Sequence, residues 1–138
     1  MKYLGVDFGT KRIGLAVSDE GGQLAFPLTT VKAGPDTLGS IVEIVNREWV
    51  EKIIIGESTN LDGTPNKVQE AIEKFKKDLE GITGLPVEYQ SEMFSSAQAA
   101  RQFAPDGSRK TNPSQDKLDA AAAALILQSY LDKIKGDN

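Results

Sequence analysis

Asp7 is an acidic residue at the end of a short apolar run near the start of the chain. Residues 3–6 precede it, a Gly-Thr-Lys-Arg turn follows, and a second apolar run covers residues 13–17. Moving an unpaired carboxylate from water into an apolar strand is costly, so a structural role alone does not explain this aspartate. A metal ion or a bound phosphate would explain its position. The segment therefore predicts a site that handles divalent metal or phosphate.

The composition restricts the chemistry of that site. The 138 residues include no histidine and no cysteine. General acid–base steps must therefore use carboxylates, lysines or metal-bound water, and neither a disulfide framework nor a thiolate metal site can form. The length is that of one domain, residues 1–138. We expect a cytoplasmic protein, because the N-terminus lacks a signal-peptide stretch and no segment is long and apolar enough to span a membrane.

The net charge argues against a strong nucleic-acid binder. It is −4, with a pI of about 4.9, whereas nucleic-acid-binding proteins usually carry a basic surface. Carboxylates of a metal site, however, count as negative until cations bind, and a local basic surface can outweigh the sum. We expect the metal-free protein to bind nucleic acid weakly and in a salt-sensitive manner.

The hydrophobic pattern predicts three meandering strands followed by alternating helices and strands. The first helix carries apolar residues at helical spacing, the last of them Trp49. The following apolar strand does not alternate, which indicates burial on both faces. Thr64-Pro65 opens the second helix, and Ser95 begins the third. The predicted elements are strands near 2–8, 12–18, 23–31, 53–55 and 86–90, helices at about 37–50, from 64, from 95 and at 114–134, and a loop at 105–114.

The residues around Asp7 follow the pattern Asp-x-Gly-Thr-x-x-x-Gly, which resembles two groups of proteins with related folds. In ribonuclease H-like nucleases this aspartate holds divalent metal. In actin-like and sugar-kinase ATPases the loop wraps the phosphates of ATP. Because those ATPases need two lobes to close over a nucleotide, a chain of 138 residues favours the nucleases.

Three segments make the resemblance more specific. Residues 7–14, Asp-Phe-Gly-Thr-Lys-Arg-Ile-Gly, resemble the opening motif of the YqgF family, also called RuvX, whose members are regarded as nucleases of precursor 16S ribosomal RNA. Residues 60–64 resemble that family's Asn-x-Asp-Gly-Thr loop, and residues 119–131 resemble its C-terminal helix. The resemblance implies an α/β ribonuclease H-like fold, in which helices flank a five-stranded mixed sheet of order 3-2-1-4-5.

The resemblance also implies a metal site. Asp7, Glu92 and Asp119 are the expected catalytic carboxylates and would hold Mg²⁺ or Mn²⁺, which prefer oxygen ligands. Asp116 is either a fourth ligand or a first-turn acid favoured by the helix dipole. Two ions about 4 Å apart would activate a water and stabilise the leaving oxygen. Substrate contacts, each with an alternative role as a turn, cap or loop residue, are expected at Lys11, Arg12, Asn60, Ser95, Arg109 and Lys110.

Two segments depart from the family pattern. The family usually reads Asp-Glu-Arg where this chain has Ser91-Glu92-Met93, and Gly-Leu-Pro where this chain has Gly56-Glu57-Ser58. The glutamate is therefore kept without its usual neighbours, and Glu57 has no family counterpart.

The resemblance implies a metal-dependent endonuclease acting on structured nucleic acid, with 5′-end processing of precursor 16S ribosomal RNA as the expected activity. One alternative is a Holliday-junction resolvase that cleaves branched DNA, for which a homodimer is expected because the substrate has two-fold symmetry. The other alternative is a non-catalytic RNA-binding or ribosome-associated factor. The altered neighbours of Glu92 favour this last alternative.

Overall fold

The computed structural model describes residues 1–9, 11–57, 67–91 and 115–136. Within these ranges the chain forms five strands and three helices. The predicted starts of the second and third helices, at Thr64 and Ser95, lie outside the described residues, as does the predicted loop at 105–114. In chain order the elements are β1 (Tyr3–Asp7), β2 (Arg12–Ser18), β3 (Ala25–Lys32), α1 (Thr37–Glu48), β4 (Lys52–Glu57), α2 (Lys67–Thr83), β5 (Val87–Ser91) and α3 (Gln115–Gly136).

The five strands form one mixed sheet in the order β3-β2-β1-β4-β5. The first three strands pair antiparallel, since short turns join them. Strand β4 pairs parallel with β1, and β5 pairs parallel with β4. A helix precedes each of these two strands, as a parallel connection requires. The predicted order 3-2-1-4-5 is confirmed.

The two faces of the sheet pack against different helices. Leu4 and Val6 of β1 belong to a core cluster with apolar residues of α1 and α2. Tyr3 belongs to a second cluster that contains much of α3. The central strand β4 contributes to both, because Ile53 and Ile55 lie in the first cluster and Ile54 in the second. The predicted burial of this strand on both faces is confirmed, and the sheet is covered by α1 and α2 on one side and α3 on the other.

Helix α1 ends before the last residue of its predicted apolar face. Trp49 has a left-handed backbone (φ 57°, ψ 44°) and is 83% exposed. The N–H of Val50 donates to the carbonyl of Val45 at 3.1 Å, and both valines are buried. This is the hydrogen bond of a Schellman motif, which turns the chain back to the core. The prediction that Trp49 continues the helix is therefore wrong. The helix ends at Glu48, and the chain buries Val50 rather than Trp49.

None of the three described helices has both the length and the apolar composition of a membrane span.

Candidate active site

Asp7 is the last residue of β1, and its position in the sheet determines which helix it faces. Its Cα partner on β2 is Gly14, and directly opposite residues of an antiparallel pair project from the same face. Gly5, two residues earlier, faces α3, because a Cβ built there would lie 2.9 Å from the carbonyl oxygen of Ala123. Side chains two residues apart share a face of a strand. Asp7 therefore lies on the α3 face, where it is partly buried.

Helix α3 runs back along β1 towards this aspartate. At one end of the strand, the rings of Tyr3 and Tyr130 lie 5.8 Å apart. In the middle, a Cβ on Gly5 would lie 2.7 Å from Cβ of Leu127. At the other end, the helix backbone at Asp119 lies directly on Gly14, the strand partner of Asp7. The helix thus carries Asp119 to the same end of the same sheet face as Asp7.

Small residues allow this close approach. A Cβ on Gly14 would overlap the backbone carbonyl of Asp119 and lie 3.0 Å from the backbone nitrogen of Ala120. The whole run Ala120–Ala124 is buried. The run is therefore core packing at a close helix approach. Any side chain larger than hydrogen at residue 14 would push the start of α3 away from the sheet.

Asp119 is held by a basic residue of the neighbouring strand. Nε of Arg12 donates to Oδ2 of Asp119 at 2.9 Å, and the two side chains are 38% and 15% exposed. Arg12 lies two residues before Gly14, on the same face of β2. The sequence predicts a substrate contact at Arg12 but does not predict this ion pair. The sequence contains one indirect indication of this ion pair. Gly14 of β2 and the alanine run of α3 are small residues, and their contact brings the first turns of α3 onto β2.

The two described carboxylates suit a divalent cation of the Mg²⁺ type. Mg²⁺ is usually bound by one or two carboxylates, with waters and substrate phosphates completing its shell. The Asp119 carboxylate is already paired with a cationic group, the Arg12 guanidinium. Among the described residues there is no group of three or more His, Cys, Asp or Glu side chains that could hold a metal. Asp7 and Asp119 therefore provide two candidate ligands, and the third predicted carboxylate, Glu92, lies outside the described residues.

Other predicted site residues are only partly covered. Lys11 is exposed, and its carbonyl accepts a hydrogen bond from the N–H of Ala33 at 3.0 Å. Asp116 lies in the first turn of α3 and Glu57 ends β4, but the described part of the structure does not include their side chains. The remaining predicted substrate contacts fall outside the described ranges: Asn60, Ser95, Arg109 and Lys110.

The sequence of the chain matches a known family model over nearly its whole length. The model is described as "RuvX: Holliday junction resolvase" and matches residues 1–133. The chain belongs to the RuvX family. This confirms the resemblance drawn from residues 7–14, 60–64 and 119–131.

Relatives of this RuvX-family chain cover it almost completely. A protein of Syntrophus aciditrophicus is 41% identical over an alignment of 138 positions, which covers 97% of this chain and 90% of the relative. A protein of Bacillus pumilus is 37% identical over an alignment of 139 positions, which covers 97% of this chain and 99% of the relative. Both carry the name "Putative pre-16S rRNA nuclease".

Solved structures of resolvases share the fold. Thermus thermophilus RuvC in complex with a Holliday junction substrate aligns with a TM-score of 0.61 at 20% identity, over 99% of this chain and 97% of RuvC. The Fowlpox virus resolvase in complex with Holliday junction DNA aligns with a TM-score of 0.63 at 18% identity, over 97% and 99% of the two chains. At these identities the likeness shows the fold alone, and it confirms the ribonuclease H-like architecture.

Proposed function

We propose that this RuvX-family chain is a metal-dependent endonuclease that hydrolyses phosphodiester bonds in structured nucleic acid. Its proposed substrate is precursor 16S ribosomal RNA, cleaved in the processing of the 5′ end. One observation carries the proposal: Asp7 and Asp119 lie at the same end of the same sheet face. The names of the two relatives support RNA as the substrate.

Each described residue of the site has a role in this proposal. Asp7 and Asp119, with Glu92 as the third carboxylate, hold Mg²⁺ or Mn²⁺. When bound, such ions supply an activated water and stabilise the charge that develops on the leaving oxygen. Arg12 contacts Asp119, and Lys11 precedes Arg12 in the chain. Both residues bind substrate phosphates. This division of roles suits a chain without histidine, because it needs no imidazole base.

The test is a cleavage assay with several substrates in parallel. Labelled RNA that contains the precursor 5′ region, single-stranded DNA and a four-way DNA junction are each incubated with the protein and Mn²⁺. Wild type is expected to cut the RNA, whereas Asp7→Asn and Asp119→Asn are expected to lose at least about a hundredfold in rate, as the removal of a metal ligand predicts. Asp78→Asn, which removes an exposed carboxylate of α2, is the matched control for loss of a charge.

Retention of wild-type cleavage by both site variants would reject the assignment of Asp7 and Asp119. Absence of cleavage of every substrate would favour a non-catalytic RNA-binding factor.

A resolvase that acts on branched DNA is the second candidate function. The description of the matching family model favours it. Cleavage of the four-way junction at symmetric positions, with the RNA left intact, would decide for this candidate. Because a symmetric junction needs two active sites, this candidate also requires a homodimer in solution, which sedimentation measurements detect.

A further inference from the structure

The Arg12–Asp119 ion pair places a positive charge of the chain itself on one carboxylate of the candidate metal site. The donor atom is Nε of Arg12, 2.9 Å from Oδ2 of Asp119. A guanidinium stays protonated in proteins, and its hydrogen bond to a carboxylate is a strong, charge-assisted one. Any divalent cation that binds Asp119 therefore meets a positive charge that is already there.

We propose that Arg12 is a positioning residue that couples metal binding to nucleic-acid binding. In the free protein it holds Asp119. When a divalent cation binds Asp119, the guanidinium moves its hydrogen bonds to a phosphate of the nucleic acid. This inference rests on the proposed function, because it takes the Asp7–Asp119 pair as the metal site.

The position and chemistry of Arg12 suit this exchange. Its planar guanidinium presents several N–H donors, which match phosphate oxygens as well as carboxylate oxygens. It is the first residue of β2, directly after the turn that follows Asp7. Its side chain is 38% exposed while that of Asp119 is 15% exposed. The guanidinium is thus accessible to a phosphate from solvent, whereas its carboxylate partner is largely enclosed.

A coupling of the two binding events follows. Without nucleic acid, repulsion between the guanidinium and the cation weakens metal binding. A phosphate that attracts the guanidinium removes this repulsion, so nucleic acid strengthens metal binding. By thermodynamic reciprocity, the metal strengthens phosphate binding by the same factor. The protein therefore binds metal and substrate best together.

Calorimetric titration with Mn²⁺ tests the coupling without any cleavage. The probe for the nucleic acid is adenosine 3′,5′-bisphosphate, which offers two phosphates and no phosphodiester bond to cut. Its own Mn²⁺ binding is measured separately and subtracted. Each protein is titrated with and without this nucleotide, and circular dichroism establishes that each variant is folded.

The expected results separate the Arg12 charge from other effects. Wild type should bind Mn²⁺ about fivefold more tightly when the nucleotide is present. Arg12→Gln should bind Mn²⁺ about fivefold more tightly than wild type without nucleotide, and should gain little when nucleotide is added. Arg12→Lys keeps the charge and should keep the gain. Lys32→Gln is the control, because Lys32 is the exposed strand partner of Arg12, and its effect should stay below about twofold.

Three outcomes would overturn the inference. Wild type that binds Mn²⁺ equally well with and without nucleotide would overturn it on its own, whatever the variants do. An Arg12→Gln protein that binds Mn²⁺ as wild type does, or more weakly, would show that Arg12 supports Asp119 as a ligand. Wild type that binds no Mn²⁺, with the same titration curve as Asp119→Asn, would reject the metal centre of the proposed function and the coupling with it.

Discussion

Lys52 is the first residue of β4 and connects three elements at the end of the sheet away from Asp7. Its Nζ donates to Oη of Tyr130 at 2.9 Å, lies 3.0 Å from Oε1 of Glu88, and stands 5.4 Å from the centre of the Tyr130 ring. The hydrogen bond from Lys52 holds the pKa of Glu88 below its ordinary value. Burial raises the pKa of Tyr130. The ionised carboxylate of Glu88 is therefore favoured by folding.

A pH dependence of stability follows from this shift. A carboxyl group with a lowered pKa in the folded state stabilises the fold above its unfolded pKa and loses that contribution as the pH falls through the folded value. Because the Glu88 side chain is 49% exposed, Glu88→Gln should cost only about 0.5 kcal/mol at pH 7. The difference should shrink as the pH falls below the ordinary pKa of a glutamate, and should vanish once Glu88 is protonated in the folded state as well. Urea unfolding at several pH values measures it.

The matched control for this experiment is Glu73→Gln, which removes an exposed charge from α2. A difference between wild type and Glu88→Gln that stays constant from neutral to acid pH would contradict the role given to the ionised carboxylate.

The predicted residues of the candidate site rest on sequence evidence of different kinds. Asp7 is predictable because its evidence is local: a carboxylate ends an apolar strand. Asp119 is predictable only through the family resemblance of its helix. The bond between Arg12 and Asp119 is not predictable, because 107 residues separate the partners and their contact depends on how α3 lies on the sheet. The placement of Glu92, outside the described residues, stays a prediction.

At the level of elements, the close packing of α3 on β2 depends on Gly14. A Cβ on Gly14 would overlap the carbonyl of Asp119. The overlapping atoms belong to the backbone of α3, so no side-chain rotation can remove the clash. Gly14→Ala should therefore destabilise the fold by about 2 kcal/mol, within the range for overpacked cores. It should also weaken Mn²⁺ binding, because it displaces Asp119. Chemical unfolding and calorimetry measure the two effects.

Gly39→Ala is the matched control for Gly14→Ala. Gly39 lies inside α1, and nothing would stand within 4 Å of its added Cβ. This change should be neutral or stabilise the protein by up to about 1 kcal/mol, since alanine favours helices. Equal effects at the two glycines would contradict the close approach of α3 at Gly14.

The end of α1 gives a second prediction at this level. Trp49 adopts a left-handed backbone that costs a residue with a side chain about 1–2 kcal/mol, and its ring is 83% exposed. Trp49→Gly should therefore stabilise the protein by about 1 kcal/mol, because glycine is the preferred residue at this helix-ending position. Gly84, the residue that follows α2, has φ 70°, so Gly84→Ala should have the opposite sign. Thermal melts of both variants test the pair, and a destabilised Trp49→Gly would indicate that the ring contributes packing.

The helix ends also show the limit of periodicity. Apolar spacing predicts a helix that includes Trp49, because spacing records only which residues are apolar. The helix ends earlier, at Glu48. The N–H of Val50 donates to the carbonyl of Val45 across the helix end, and both valines are buried in the core. That choice depends on the core between α1 and the sheet, which a local pattern does not contain.

For the whole molecule, connection length accounts for the strand directions. Strands joined by tight turns pair antiparallel, and strands reached through a helix pair parallel. The order 3-2-1-4-5, in which β4 lies beside β1 rather than β3, comes from the family resemblance alone. The position of α3 across β1 and β2 is not predictable in this way. It depends on Gly5 and Gly14, whose missing side chains let the helix backbone approach.

Metal binding to the folded protein should be measurable as an increase in its stability. A cation that binds only the folded state at ten times its dissociation constant adds about 1.4 kcal/mol. For a chain of this size, that raises the melting temperature by about 3–6 °C. Because the net charge is −4, divalent ions also stabilise the protein by general attraction, which a ligand variant alone does not separate from specific binding.

Two variants that remove one negative charge each make that separation. Asp119→Asn removes a proposed ligand, whereas Asp78→Asn removes an exposed carboxylate of α2. The melting temperature should rise with Mn²⁺ concentration for wild type and Asp78→Asn, and should rise much less for Asp119→Asn, because only the last variant lacks the site. Equal rises in all three proteins would mean that Mn²⁺ acts on the net charge and that Asp119 is not a ligand.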